Sequence, residues 1–249
     1  FPTRCSSDLA IAERVRQTWP RLPPEVLASP RARHLARAAY ASGIWWADDH
    51  IRRLYEALPW LDGMYLIFSA DHGEEFLEHG DVSHGFNLHA ETVRIPLLLR
   101  PPGGGEPGVV EGPASFVDLG PTMLTLAGAE VPDGWHGRPL VDADGAVRGS
   151  GADAYAHLGR FAHQPRLEAL IRGRWKLIRH VDGTGRSLYD LHRDPDETTD
   201  LAGAEPDRAE TMASALDALR RDLPPAPPTE VRPVADDLES ALRALGYVE

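Results

Sequence analysis

The first clear pattern along the chain is a helical stripe of apolar residues followed by two short runs that are apolar throughout. The stripe starts after Ser29 and Pro30, which suit the cap and first turn of a helix, and it continues to about Leu58. Residues 64–69 and 95–100 show no polar alternation, which is typical of strands covered on both faces of a parallel sheet. The pattern predicts one helix and two central strands.

A second helix and a group of short strands are predicted further along the chain. Ser115 is a suitable cap and Gly128 a suitable terminator for a helix over residues 115–127. Short strands are predicted at 154–158, 167–172, 175–181 and 187–190, with a hairpin turn at Gly173-Arg174 and a helix at 206–223. This order of elements predicts an α/β fold with a small C-terminal antiparallel-sheet subdomain.

The predicted elements divide the chain into four segments. Residues 1–28 lack an initiating Met and the apolar core of a signal peptide, and we interpret them as irregular or non-native. Residues 29–140 carry the α/β elements, and residues 150–223 carry the antiparallel sheet and its helix. Residues 224–249 combine a proline-rich linker with a short terminal helix over 235–245.

Composition excludes several classes of protein. The 249 residues include 26 Lys and Arg against 38 Asp and Glu, a formal net charge of −12, which argues against a nucleic-acid partner. No apolar run approaches the roughly 20 residues that a membrane-spanning helix needs. Cys5 is the single cysteine, which excludes an intrachain disulfide and a cysteine-based zinc site.

Candidate chemistry is concentrated in the polar segment that follows the first apolar run, residues 69–94. In an open α/β sheet, ligands collect beyond the carboxyl ends of the strands, and Asp71-His72-Gly73 comes at that end of the run 64–69. A carboxylate and an imidazole can both bind a metal ion, and a glycine lets the chain turn sharply beside them. Two ligands are too few for a complete metal site, so others must come from elsewhere in the fold.

Several motifs carry a resemblance to a known family. They are SADHGEEFLEHG, HGFNLHAETVRIPLLLR, VDLGPTMLTLAG, IRGRWKLIRH and LYDLHRDPDETTDLA. In this order they resemble the C-terminal half of the sulfatase family, within the alkaline phosphatase superfamily, over about residues 32–202. The resemblance implies a partial alkaline-phosphatase-like sheet covered by helices, with residues 29–140 as the C-terminal part of the catalytic domain.

The resemblance also implies roles for three residues. Asp71 and His72 match two metal ligands of the family, which in sulfatases usually hold Ca²⁺; an imidazole ligand leaves Mn²⁺, Mg²⁺ or Zn²⁺ open. His84 matches a basic residue that touches the sulfate or phosphate group. We therefore expect a divalent cation at Asp71 and His72 and a catalytic role for His84.

Other residues of the segment are expected to be structural. We expect His79 at the surface, and His89, where the family often has Tyr, as a packing residue behind the site. Three acidic side chains are expected to form ion pairs or a solvated face because a free carboxylate would repel a sulfate ester: Glu74, Glu75 and Glu78. Five more residues are expected in the core or in the small sheet: Trp45, Trp46, Trp60, Trp175 and Lys176.

The nucleophile of the family has no match in this chain. Sulfatases use a formylglycine made from the Cys of C-x-P-x-R, but Ser7 and Leu9 stand where Cys5 would need Pro and Arg. An early strand ending in an Asp-Asp pair, the source of the other metal ligands, is also missing. We expect a fragment of a metal-dependent sulfuric ester hydrolase that alone binds metal weakly and is inactive.

The expected partner is a small sulfate ester or a sulfated glycan, and two alternatives stay open. One is a phosphodiester or phosphonate ester hydrolase of the same superfamily, because sulfate and phosphate are similar in shape. The other is a non-catalytic module that binds an anion or a partner. Oligomeric state stays open, and so does localisation: the chain is expected in the cytoplasm, or in the periplasm or outside the cell if a signal peptide precedes it.

Overall fold

The computed structural model of the protein describes residues 29–142, 144–148, 151–159 and 166–223. The expectations for residues 1–28 and for the linker and helix over 224–249 lie outside these ranges. The chain divides into two compact units, Phe1–Asp217 and Ala218–Glu249. No helix in the described ranges is long and apolar enough to cross a bilayer.

The described chain alternates helices with short strands. In chain order the elements are α1 (Pro30–Ala57), a 3₁₀ turn (Pro59–Gly63), β1 (Leu66–Ser69), β2 (Glu75–Phe76), β3 (Val82–Ser83), α2 (Ala90–Val93), β4 (Leu97–Arg100), a second 3₁₀ turn (Phe116–Asp118), α3 (Leu119–Leu126), β5 (Ala154–Leu158), β6 (Leu167–Arg172), β7 (Trp175–His180), β8 (Arg186–Asp190) and α4 (Pro206–Asp222). This order confirms the predicted mixed α/β class and most of the predicted element positions.

The first helix forms where it was predicted, but its apolar stripe is mostly exposed. Pro30 lies in its first turn and Ala36 is its buried residue, whereas Trp45 and Trp46 are 71% and 60% exposed. Trp60, in the 3₁₀ turn after the helix, is also exposed. The expectation that these tryptophans anchor a core is wrong, because a helical stripe fixes which side chains share a face and not whether another element covers that face.

The two apolar runs form a two-stranded antiparallel sheet. β1 pairs with β4 so that Ser69 lies opposite Leu97, and Leu98 is 58% exposed. The prediction of two buried strands in a parallel sheet is therefore wrong for the described residues. An apolar run indicates a strand, but it carries no information about the direction of the neighbouring strand.

The helix predicted from Ser115 begins with a 3₁₀ turn and continues as α3. Ser115 and Asp118 form a reciprocal capping box at its start, as the cap prediction requires. Gly128 adopts a φ of +68° just beyond the end, where its N–H donates to the carbonyl of Thr125. Both predicted boundary signals are confirmed.

The C-terminal sheet has the strand order β5-β6-β7-β8 and is antiparallel throughout, as predicted. One of its faces carries three fully buried cross-strand neighbours, Leu170, Leu177 and Leu188. Arg179 and Arg186 are also cross-strand neighbours on that face, and they reach Asp217 and Glu210 of α4 at 2.6 and 2.8 Å. Helix α4 therefore covers this face.

The opposite face of the C-terminal sheet packs against the polar segment that the sequence singled out. Ile178 and Tyr189 on this face belong to one buried cluster with Leu88, and Val93 packs against the same cluster. The small sheet thus lies between α4 and the segment that carries the candidate site residues.

Candidate active site

Asp71 and His72 lie just after the end of β1, and both side chains are accessible to solvent. His72 Nε2 lies 3.7 Å from Asp71 Oδ2, and the two side chains are 39% and 85% exposed. The backbone N–H of His72 donates to Asp71 Oδ1 at 3.0 Å. That bond holds the pKa of the Asp71 carboxyl below its usual value, against a smaller opposing effect of burial. The carboxylate is therefore ionised and open to a cation.

The hydrogen bond of His72 Nδ1 fixes the tautomer of the His72 ring. Nδ1 lies 2.8 Å from the carbonyl oxygen of Gly73, and a carbonyl can only accept, so Nδ1 carries the proton. In the neutral ring this leaves a lone pair on Nε2, the atom that faces Asp71. Such a bond from the other ring nitrogen is how metal-binding histidines are commonly oriented.

His84 lies directly against His72. The two rings stack with centroids 3.6 Å apart and an angle of 27° between their planes. Behind His84, Glu74 Oε2 approaches Nδ1 at 3.4 Å, and the Glu74 side chain is almost fully buried. When both nitrogens of His84 are protonated, Glu74 balances the charge and Nε2–H is left to donate to an anion.

Glu75 organises the hairpin that carries His84. Its buried carboxylate accepts hydrogen bonds from the backbone N–H of His79 at 2.7 Å and of Asp81 at 3.0 Å, and from the side chain of Asn87. These bonds close the turn between β2 and β3, and His84 follows β3 directly. Glu78, by contrast, pairs with Arg37 of α1.

The expectation of ion pairs or a solvated face holds for Glu74, which pairs with His84, and for Glu78, which pairs with Arg37. It is wrong for Glu75, which is buried and accepts hydrogen bonds from backbone N–H groups and from Asn87. His79 was expected at the surface, but its side chain is 13% exposed and its ring stacks on His89. The expectation for His89 is confirmed, because it packs edge-on against Tyr189 behind the site. Both residues of β2, Glu75 and Phe76, are buried, and a strand of two residues is too short to show a periodic signal in the sequence.

The donor atoms at this site fit one side of a metal centre. Asp71 supplies a carboxylate, and His72 supplies an imidazole whose Nε2 carries the lone pair in the neutral ring. Within the described ranges, no group of three or more His, Cys, Asp and Glu side chains converges as a metal site. One oxygen of Glu74, Oε1, is buried without a hydrogen-bond partner among the described residues, and an unpaired buried carboxylate oxygen favours positive charge nearby.

The described chain shares an alkaline-phosphatase-like α/β fold with a sulfatase homologue from Bacteroides fragilis, which matches with a TM-score of 0.65 at 20% identity and covers 87% of this chain and 51% of the other. Residues 5–129 match the sulfatase family model, and residues 78–222 match the model of the C-terminal region of N-sulphoglucosamine sulphohydrolase. The chain belongs to the sulfatase family. The resemblance seen in the sequence motifs is thereby confirmed.

Curated relatives are similar over most of this chain but over less than half of their own length. Arylsulfatase K of Canis lupus familiaris is 30% identical over 201 residues, which covers 74% of this chain and 36% of the relative. An uncharacterised Escherichia coli sulfatase, YidJ, is 27% identical over 203 residues, which covers 80% of this chain and 40% of the relative. The chain therefore spans well under half the length of these relatives.

Solved structures share the fold at low sequence identity. A protein in complex with its substrate, D-glucosamine-2-N,6-O-disulfate, matches with a TM-score of 0.62 at 23% identity, covering 77% of this chain and 41% of the other. The phosphonate monoester hydrolase of Agrobacterium radiobacter matches with a TM-score of 0.58 at 24% identity, covering 77% and 42%.

Proposed function

We propose that this chain contributes one side of the active site of a metal-dependent sulfuric ester hydrolase. The observation that carries the proposal is the pair of donors at the end of β1, the Asp71 carboxylate and Nε2 of His72, which lie 3.7 Å apart on side chains open to solvent. His84 stacks on the ring of His72 and would donate a hydrogen bond to a sulfate oxygen. Membership of the sulfatase family supports the choice of reaction.

Asp71 and His72 would hold a divalent cation. Ca²⁺ is the ion that the family resemblance favours, although the imidazole also suits Mn²⁺, Mg²⁺ or Zn²⁺. When bound, such an ion withdraws electron density from the ester oxygens and orients the group for displacement. The chain has no C-x-P-x-R motif, because Cys5 is its single cysteine and Ser7 and Leu9 stand at the Pro and Arg positions. We therefore propose that the nucleophile and the remaining ligands come from outside this chain and that the 249 residues alone are inactive.

The proposed substrate is a small sulfate ester or a sulfated glycan. The substrate named for one solved relative of the same fold, a disulfated glucosamine, supports the second of these. A phosphonate ester or phosphodiester is the second candidate, because phosphonate monoester hydrolases share the fold.

The experiment compares turnover of an aryl sulfate, a phosphodiester, a phosphonate ester and a phosphate monoester by a complete gene product containing this chain. We expect the aryl sulfate to be preferred and its turnover to be lost in Asp71→Ala. A preference of about tenfold or more for any of the phosphorus esters would contradict the sulfatase assignment.

The same assay on the isolated 249 residues tests the proposed division of the active site. We expect no turnover above that of a buffer blank. Metal-dependent turnover of the aryl sulfate by the isolated chain, abolished in Asp71→Ala, would show that the active site is complete in this chain and would contradict the proposal.

A further inference from the structure

Lys176, Glu197 and His89 form a buried ionic array. The array connects the C-terminal sheet to residues 69–94, the site segment that carries the candidate site residues. Lys176 of β7 donates from Nζ to Glu197 Oε1 at 2.7 Å, and Glu197 Oε2 lies 2.9 Å from His89 Nδ1. The side chains of Lys176 and Glu197 are each only 1% exposed. Lys176 projects from the face of the sheet that packs on the site segment, and not from the face that α4 covers.

Stability alone does not account for such an array. Two charges removed from water incur a large desolvation cost, and a well-packed apolar pair of similar volume is often equally stable. A buried ion pair does, however, fix its partners in one geometry, because either charge is costly to leave unpaired. The array therefore holds His89 at one position relative to the C-terminal sheet.

The position of His89 fixes the backbone beside His72. The carbonyl of His89 accepts from the N–H groups of Thr92 and Val93 at 3.0 and 3.1 Å and so anchors the start of α2. The carbonyl of Thr92 in turn accepts from the N–H of Gly73 at 2.9 Å. A Cβ at Gly73 would lie 1.9 Å from the carbonyl oxygen of Glu91, so α2 and Gly73 touch without any space between them.

The ring of His89 makes a second connection, to the hairpin that carries His84. It stacks on His79 with centroids 3.6 Å apart and planes 6° apart. The backbone N–H of His79 donates to Glu75, the carboxylate that closes the hairpin. Both connections run from Glu197 through His89 to the two histidines of the candidate site.

We propose that Lys176 and Glu197 are positioning residues that act through His89 to place His72 and His84. The C-terminal sheet and the loop after β8 thereby orient one side of the active site. The inference rests on the proposed function, because the positions of His72 and His84 matter for catalysis only if these residues form a metal site. The placement itself is measurable with no metal present.

The test uses Glu197→Gln and His89→Phe in the full chain. Gln keeps the size of Glu197 and removes its charge, while Phe keeps the ring stack of His89 and removes its bond to Glu197. The matched control is Glu168→Gln. Glu168 lies in β6 and is as deeply buried as Glu197, but it pairs with Arg179 on the face of the sheet that α4 covers. Circular dichroism first establishes that each variant is folded.

The first readout is the NMR spectrum of the metal-free protein. We expect both test variants to shift the amide signals of Gly73 and Thr92 and the ring signals of His72, and the control to leave them in place. Unchanged signals in folded test variants would overturn the proposal, as would equal shifts in Glu168→Gln. If neither test variant folds, the array serves stability and the proposal is likewise overturned.

The second readout is Mn²⁺ affinity, measured by titration calorimetry. We expect dissociation constants about tenfold weaker in the test variants than in the unmodified chain, as is typical when residues supporting a metal ligand are changed. If the unmodified chain binds neither Mn²⁺ nor Ca²⁺, the proposed metal site fails, and the NMR shifts still decide whether Lys176 and Glu197 position the histidines.

Discussion

At the scale of single residues, Glu197 shows how the interior of this protein holds a charge. Burial by itself raises the pKa of its carboxyl, but the hydrogen bond with His89 and the charge of Lys176 outweigh that effect and bring the pKa below the usual 4.5. A carboxyl with a depressed pKa in the folded state stabilises the fold above its unfolded pKa. That contribution is lost as the pH falls through the folded value.

We therefore predict a change in the acid dependence of stability for Glu197→Gln. The free energy of unfolding, measured by urea titration at pH values from about 6 down to about 3, should fall less steeply in this variant than in the unmodified chain. Glu210→Gln, which removes an exposed partner of Arg186, should keep the original slope. An unchanged slope in Glu197→Gln would contradict the depressed pKa.

The sequence could predict some residues of the site and not others. Asp71 and His72 are adjacent in the chain, so their convergence needs only one sharp turn after a strand. His89 and Glu197 lie 108 positions apart and become partners only when β7, β8 and the loop after them pack on the site segment. No pattern in the sequence pairs such residues, because their contact follows from tertiary packing alone.

At the scale of elements, the contact between Gly73 and α2 is the tightest constraint on the site backbone. Gly73→Ala would place a methyl group 1.9 Å from the carbonyl oxygen of Glu91, so either the backbone after His72 or α2 must move. We predict a destabilisation of about 1–3 kcal/mol, as for other overpacked sites, together with weaker metal binding. Chemical denaturation and calorimetry measure the two effects.

Gly63→Ala is the matched control for this prediction. A Cβ at Gly63 has nothing within 4 Å, so the substitution should change stability by less than about 0.5 kcal/mol and leave metal binding unchanged. If Gly73→Ala behaves like Gly63→Ala, α2 does not constrain the backbone beside His72.

Element positions were predicted better than element neighbours. The bounds of α1, β5, β6 and α4 lie within two residues of the prediction, because capping residues and turn residues act locally. The pairing of β1 with β4 and the exposure of Trp45 depend on which surfaces meet. Those properties are not encoded in the periodicity of one segment.

At the scale of the whole molecule, the C-terminal sheet joins α4 on one face to the site segment on the other. Leu177 is fully buried on the face that α4 covers. We predict that Leu177→Ala lowers the free energy of unfolding by about 2–5 kcal/mol, whereas Leu98→Ala, at an exposed position of β4, changes it by less than about 0.5 kcal/mol. Equal effects on urea denaturation would contradict the described core.

The central claim is that Asp71 and His72 together hold a divalent cation, and paramagnetic NMR with Mn²⁺ tests it most directly. We predict that substoichiometric Mn²⁺ broadens the signals of Asp71, His72 and His84 first, that excess Ca²⁺ reverses the effect, and that Asp71→Asn removes it. Broadening that begins at other acidic residues, or that persists in Asp71→Asn, would contradict the claim.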